Sequence, residues 1–324
     1  MKKLIGILLT AVMVVSMFTV NVSAAYVLQE DFSSNDTSVL ASLLDPDGEA
    51  WKREIVDGVL HLYNPENGAM SQSLLLDEEF TGEAVLQFDL RMDSPMGYLI
   101  TNIYRGGSKG RFSVTLEPEY IYAGKSVPNS AHTPEVWYTY VFHMTDDEMA
   151  IFRKEKDSEE PYKLMVEGIA RTTNTSPAQF QPYCAKGMDA YIDNVMLYNG
   201  TFAEDAVFEI DGSEVKAISD VKSGTLTAKA KIVTSMVITE ETADGIFAVD
   251  GIKINPLLVV YNKNNKMIYS KIVDDAALSM GDNEFEVSID TSSFADKIDG
   301  GYIGFYLWDD FGNLEPLMDA VEIR

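Results

Sequence analysis

Ala190-Tyr-Ile-Asp-Asn-Val-Met-Leu-Tyr-Asn-Gly200 is the stretch on which the reading of the chain turns. Side chains alternate between the two faces of a strand. An unbroken strand here puts Tyr191, Asp193, Val195 and Leu197 on one side and Ile192, Asn194, Met196 and Tyr198 on the other. An ionised carboxylate among apolar neighbours is costly unless it is paired, hydrogen-bonded or metal-bound, so Asp193 needs a partner. The composition shifts after Asn199-Gly200, and the run reads as the strand that closes one β domain just before a second.

Upstream, Lys2 and Lys3 precede an apolar run over residues 4–20 and the small-residue site Val22-Ser23-Ala24. This pattern predicts an export signal over residues 1–24, removed before folding. A membrane anchor is the competing reading, since the run touches the ~17-residue lower limit for spanning. No cysteine stands directly after the site to carry a lipid, and no later stretch is apolar for long enough to cross a bilayer. The 324 residues hold 51 acidic and 25 basic side chains, a formal charge of −26. Such a surface repels nucleic acid and anionic lipid. Solubility outside the cell explains the acidity without a special role, although it also makes divalent-cation binding reasonable. Cys184 is the single cysteine, which leaves no intramolecular disulfide, so cohesion must come from apolar cores, and this length calls for two of them.

Short alternating or apolar runs bounded by Gly, Pro, Asn and Asp recur without a long amphipathic helical pattern, the signature of an all-β protein. Strands are expected near residues 26–28, 54–56, 59–63, 71–76, 84–92, 98–104, 111–116, 120–123, 136–144, 149–154, 163–167 and 190–198. A first sandwich thus occupies residues 25–201. Beyond it aromatics thin out and Val, Ile and Ala take over, with strands near 206–210, 214–217, 226–234, 257–261, 267–273 and 284–289 and a closing run over 301–317. A second sandwich occupies residues 202–324. Asn35 and Asn174 head glycosylation acceptor patterns that carry no weight in a chain whose leader looks bacterial.

Several segments, in their order along the chain, carry a resemblance that none carries alone. They are Glu30-Asp31-Phe32, Trp51, Asp57-Gly58-Val59-Leu60, Phe88-Asp89-Leu90-Arg91, Trp137 and Asp193-Asn194-Val195 with Tyr198 and Gly200. The first domain resembles the laminin-G-like, concanavalin A-type jelly rolls of secreted carbohydrate-handling proteins. The resemblance implies a structural Ca2+ ion between the first and last strands, held by Glu30 or Asp31 and by Asp193. The alternative is that Asp193 hydrogen-bonds backbone amides. Leu258-Val259-Val260-Tyr261, the loop Asn262-Lys263-Asn264-Asn265-Lys266, and Tyr306, Trp308, Asp309, Pro316 and Leu317 resemble an immunoglobulin-like accessory module of secreted bacterial polysaccharide-acting proteins. Asn suits the left-handed geometry of that loop, and Trp308 reads as core.

Retaining glycoside hydrolysis needs two carboxyls ~5 Å apart. In the jelly-roll enzymes they stand on one strand face, but the corresponding strand here offers Gln87, Asp89 and Arg91, a single carboxylate beside a cation. This reads as non-catalytic. Asp77-Glu78-Glu79 and Asp146-Asp147-Glu148 read as solvated turns. His61, His132 and His143 lack a nucleophile elbow or zinc spacing, and Gly106-Gly107-Ser108-Lys109-Gly110 lacks the spacing of a phosphate loop.

Sugar binding remains, since it needs only aromatic faces and planar polar groups. By the resemblance Trp137 and Val141 point inward, which turns Tyr138 and Tyr140 out. If Phe88 and Leu90 are core, Gln87, Asp89 and Arg91 also face out, beside Asn102, Arg111 and Ser113. The site expected is Asp89, Arg91, Tyr138 and Tyr140 on the concave face of the jelly roll, with no catalytic residue, in a protein acting outside the cell or at its surface on polysaccharide or cell-envelope glycan. An enzyme of polysaccharide breakdown with an unrecognised site, an adhesive or structural surface protein, and an ordinary outer face of Tyr and charge stay open, as does the oligomeric state.

Overall fold

Apolar residues at every second position, broken by turn formers, give antiparallel strands throughout, and among the described residues the only helical turns are the 3-10 segments Ile218–Asp220 and Ala295–Lys297. The computed structural model describes residues 25–33, 52–65, 69–76, 79–249, 251–273, 276–308 and 316–324. The leader over residues 1–24, Asn35, Trp51, Asp77, Glu78 and Asp309 lie outside the described residues. The chain divides into two compact units, one of Tyr26–Asn199 with Thr239–Val249, the other including Gly200–Ile238 and Asp250–Arg324.

The first unit is a two-sheet sandwich. Its ten-stranded sheet runs, in spatial order, Ile238–Thr242, Gly245–Val249, Lys163–Ala170, Glu148–Glu155, Trp137–Met144, Ala84–Met92, Asp189–Asn199, Val59–Tyr63 and Lys52–Val56, with Ala25–Glu30 also paired to Asp189–Asn199. Its second sheet runs Ser126–Val127, Ile121–Tyr122, Arg111–Leu116, Tyr98–Tyr104, Gln179–Ala185 and Ala69–Ser71, with Leu74–Leu75 also on Gln179–Ala185. Between the sheets lie Leu86, Phe88 and Leu90, Leu99 and Ile103, Phe112 and Val114, and Phe180, all buried. As the alternation predicts, Gln87, Asp89 and Arg91 are left on the outer side. The first two strands in that spatial order form a hairpin drawn from late in the sequence and not anticipated above. It docks through the pair Lys163 and Phe247 and through the Ala248 N–H, which donates to the Tyr162 carbonyl at 2.8 Å.

Three expectations of orientation are corrected. Tyr138 and Tyr140 point inward, 6 % and 1 % exposed in the core, while Trp137 and Thr139 face out. The tyrosines can be buried because their hydroxyls find partners: Tyr138 donates to Thr133 Oγ1 at 3.1 Å and Tyr140 accepts from Arg153 at 3.4 Å. Buried rings add large apolar contact once the hydroxyl is satisfied, and neither ring offers a face to a sugar.

Asp193 does not share a face with Val195 and Leu197. Asn194 takes φ +48° and the pairing with Ala84–Met92 slips between Asp193 and Met196. This β-bulge adds one residue and reverses the alternation, so that Ile192, Val195 and Leu197 all enter the core and Asp193 turns out. Asn is one of the few residues that adopts this left-handed conformation readily.

Asn102, Arg111 and Ser113 belong to the second sheet, on Tyr98–Tyr104 and Arg111–Leu116, and not beside Asp89.

At one end of the first unit Arg105, fully buried, donates to the carbonyls of Phe80, Thr145 and Gly82. Its guanidinium thereby ties loops 23 to 40 residues away in sequence, with Asp146 at 3.4 Å balancing part of the charge. The strand Asp189–Asn199 is followed, after Gly200 at φ +67°, by Thr201–Ile210 of the second unit.

The second unit is also a two-sheet antiparallel sandwich, with Ser213–Glu214, Thr201–Ile210, Thr225–Thr234 and Gly281–Asp290 in one sheet. The other holds Met267–Ile272, Ile252–Tyr261, Tyr302–Trp308 and Val321–Ile323, with Ala276–Leu278 on Ile252–Tyr261. Ile303, Phe305 and Leu307 face the core. Trp308 is buried, 2 % exposed, but alternation puts it on the opposite side from those residues. The Asn262 loop behaves as expected: its side chain accepts from the amides of Asn264 and Lys266, and Asn265 is left-handed at φ +55°.

Candidate functional site

The outer face of the ten-stranded sheet is organised in cross-strand rows. In the first, Glu54, His61, Tyr191, Arg91 and Trp137 stand side by side on five successive strands. His61 stacks on Tyr191 at 4.4 Å, Arg91 lies 4.1 Å from the Tyr191 ring and 5.4 Å from Trp137, and Lys156 lies 5.2 Å from Trp137. Asp93 pairs with Arg91 at 2.9 Å, and His61 is held between Asp189 at 2.8 Å and Glu54 at 3.3 Å. Cations over aromatic faces are attracted by the ring quadrupole. The aromatic faces in this row are therefore already engaged with each other and with cations.

The next row is Asp193, Asp89, Thr139 and Lys154. Asp89 is 4 % exposed and its carboxylate is fully served: Oδ1 accepts from Thr139 at 2.6 Å, and Oδ2 accepts from Asn194 Nδ2 at 2.7 Å and Lys156 Nζ at 2.8 Å. Asp193 accepts from the Asn194 backbone N–H at 2.8 Å and its side-chain amide at 3.1 Å, with Lys156 at 3.6 Å. The bulge thus brings to Asp89 the second carboxyl that its own strand lacks. Burial pushes the Asp193 carboxyl up, and Asp89 adds to this against the pull of Asn194 and Lys156. Burial opposes the charge of Lys156, but Asp89 and Asp193 more than offset it and hold the ammonium above its ordinary range.

Above this row opens a pocket of about 450 Å³. Glu30, Asp31, Asp89 and Asp157 supply carboxylates to its walls, and Lys154 and Lys156 supply ammonium groups. Amides come from Gln29, Gln87 and Asn194, hydroxyls from Thr139 and Tyr162, and an apolar side from Met196. Lys154 donates to the Ser158 carbonyl at 3.1 Å and lies 4.6 Å from the Tyr162 ring. Burial and then the charge of Asp89 push the Tyr162 hydroxyl up to about 12, so it remains a donor at neutral pH.

The carboxylates expected to hold calcium have protein partners in this arrangement. Glu30 Oε1 accepts from the Phe32 amide at 2.7 Å and Asp31 Oδ1 from the Ser33 amide at 2.9 Å, so each carboxylate closes its own turn. The charge of Asp193 is answered by Lys156 and Asn194. Among the described residues no group of three His, Cys, Asp or Glu side chains is placed to hold a metal ion.

Asp89 and Arg91 are on the expected face, Asp89 in the pocket and Arg91 one row away. Thr139, Lys156, Tyr162 and Asn194 were missed. A signal existed only for Asn194, whose type and place after Asp193 suit a left-handed bulge residue. Lys156 in Lys154-Glu155-Lys156-Asp157 reads as an ordinary solvated charge run. On the second sheet the outer face carries a separate network: Ser113 donates to Asn102 at 2.9 Å, Asn102 and Tyr104 each donate to Gln181 Oε1 at 3.4 Å, and Gln181 donates to Ser73 at 3.1 Å.

No family model matches the chain, and no curated protein is similar to it in sequence. Among solved structures it is similar to peanut lectin, with 8 % identity and a TM-score of 0.40 over 55 % of this chain and 98 % of that one. It is also similar to the VIP36 exoplasmic/lumenal domain in a Ca2+/Man3GlcNAc-bound form, with 8 % identity and a TM-score of 0.35 over 52 % of this chain and 86 % of that one. A third likeness is to the GH43 protein BlXynB mutant from Bacillus licheniformis, with 10 % identity and a TM-score of 0.38 over 52 % of this chain and 39 % of that one. No helix among the described residues is long and apolar enough to cross a membrane.

Proposed function

We propose that the first unit binds carbohydrate in the pocket beside Asp89, as part of a protein exported from the cell, with the second unit as an immunoglobulin-like accessory module. One observation carries the reading: the left-handed bulge at Asn194, which breaks the sheet register at the pocket and gathers Asp193 and Asp89 around one amide, with Lys156 paired to both carboxylates. Bulges re-aim side chains beside functional sites. This paired floor holds the pocket beneath Gln29, Gln87, Asp157 and Tyr162, whose donors and acceptors line its walls. A sugar ring presents hydroxyls that donate and accept at neighbouring positions, and sites with pre-placed polar partners bind at least cost in ordering. Screening the full chain and its Asn194→Gly variant on a glycan array tests the reading. Retention by the parent and its loss in the variant are expected; retention by neither, or equally by both, rejects it.

A second reading, glycoside hydrolysis, is favoured by the pairing of Asp89 with Asp193, two carboxyls within reach of the same amide, as retaining chemistry requires ~5 Å. Asp89 accepts three hydrogen bonds, which leaves it poorly placed to act as a nucleophile, so binding is preferred. Release of reducing sugar that disappears in both Asp89→Asn and Asp193→Asn would reverse that preference.

A further inference from the structure

We infer that the ligand of this pocket is an uncharged glycan, one without uronate, sulfate or phosphate groups; the inference rests on the carbohydrate reading above. The walls carry four carboxylates, Glu30, Asp31, Asp89 and Asp157, against the two ammonium groups of Lys154 and Lys156. Of the two ammonium groups, Lys156 is ion-paired within the protein. Lys156 lies 2.8 Å from Asp89 and 3.6 Å from Asp193, whereas Lys154 donates to the Ser158 carbonyl, lies over the Tyr162 ring and keeps its charge. Arg is the side chain that recognises carboxylate and phosphate by a bidentate fork, and none lines the pocket among the described residues. An anionic sugar would meet a surplus of fixed negative charge, four carboxylates against two ammonium groups of which Lys156 is already paired, and like charges brought together select against a partner.

Uncharged hydroxyls meet no such conflict. They donate to the exposed carboxylates of Asp31 and Asp157 and accept from the amides of Gln29 and Gln87 and from the Tyr162 hydroxyl, which stays protonated at neutral pH. The net charge of the chain, −26, acts in the same sense at longer range.

The test is to present the full chain with an array of neutral and acidic glycans at low and high salt. Every retained glycan is expected to be uncharged, with affinity changing less than about twofold between the two salts, since screening acts on charge pairs. Retention of a uronate, sulfated or phosphorylated glycan at low salt overturns the inference while leaving the carbohydrate reading intact. Retention of no glycan of either kind removes the reading itself.

A second measurement uses Asp31→Asn with Asp157→Asn, which keeps the hydrogen-bonding shape of two exposed side chains and cancels the surplus charge. The ratio of affinity for polygalacturonate to affinity for the retained neutral glycan is expected to rise about tenfold, the order of a single removed like-charge contact. An unchanged ratio overturns the inference.

Discussion

Asp89 and His132 are equally buried, each 4 % exposed, and the first unit deals with them in opposite ways. Asp89 on the outer face is given Thr139, Asn194 and Lys156, one donor for each lone pair it can use. His132 lies against Tyr138 at 4.3 Å and Tyr140 at 6.2 Å, and neither ring nitrogen makes a hydrogen bond of good geometry. Burial, helped by the charge of Arg153, pushes its pKa down to about 3, so it remains neutral. A compensated charge can organise a site, while an uncompensated titratable group becomes a liability of stability. Burial alone does not tell the two apart.

The comparison breaks most severely if the floor common to both regions is removed. Tyr140 packs on Phe88, the neighbour of Asp89, and parallel to His132. Tyr140→Ala is expected to cost about 3–5 kcal/mol, as for other large aromatic truncations in cores, read as a fall in denaturation midpoint. A loss under about 0.5 kcal/mol would mean that the ring is exposed after all.

Acid sharpens the contrast next. Between pH 6.5 and about 3 the unfolded chain protonates His132 and the folded chain does not, so the unfolded state binds more protons and stability falls as pH falls. The slope approaches about 1.4 kcal/mol per pH unit in the middle of that window. Asp193 has the opposite sign, because its carboxyl is pushed up and the folded state takes that proton first, adding stability as pH falls toward its unfolded value of 3.8. In urea melts across this range, His132→Phe should flatten the acid limb and Asp193→Asn should steepen it. Parallel curves for parent and His132→Phe would show that the histidine is not buried neutral.

Lys156→Met tests the compensated side. It leaves Asp89 buried with two donors and no counter-charge. A loss of about 2 kcal/mol is expected, below the ~3–5 typical of a fully buried pair because Lys156 is a quarter exposed. The smallest change of stability belongs to Asn194→Gly. Glycine accepts the left-handed φ without strain, so the unfolding free energy should change by less than about 1 kcal/mol while the carboxyls lose their shared amide. Asn194→Ala, which keeps the strain and loses the amide, should be less stable than Asn194→Gly.

The sequence carried the all-β class and the faces of Ala84–Met92 without ambiguity, because Leu86, Phe88 and Leu90 are apolar and Gln87, Asp89 and Arg91 are not. Trp137–Met144 misled the reading because each of its faces carries an aromatic ring and apolar residues, and the choice depends on remote partners: Thr133 and Arg153 for the tyrosine hydroxyls, Arg91 and Lys156 for Trp137. Asp193 was legible as a problem and illegible as a solution. Its answer needs a one-residue register slip and a lysine 37 positions earlier, and strict alternation contains neither.

The hairpin over residues 238–249 has a consequence for how the chain matures. Its strand Gly245–Val249 pairs with Lys163–Ala170, and its Ala248 amide fixes the backbone at Tyr162, a wall of the pocket. Domains generally fold as their sequence emerges, the N-terminal one first. Here the first sandwich cannot be finished at Asn199; its sheet stays one hairpin short until Val249 has followed. During synthesis the pocket wall is thus completed by a segment made some 75 to 85 residues later. A protease that nicks the exposed turn at Ala243-Asp244 after folding should leave that wall in place, whereas a chain stopped at Thr201 never acquires it.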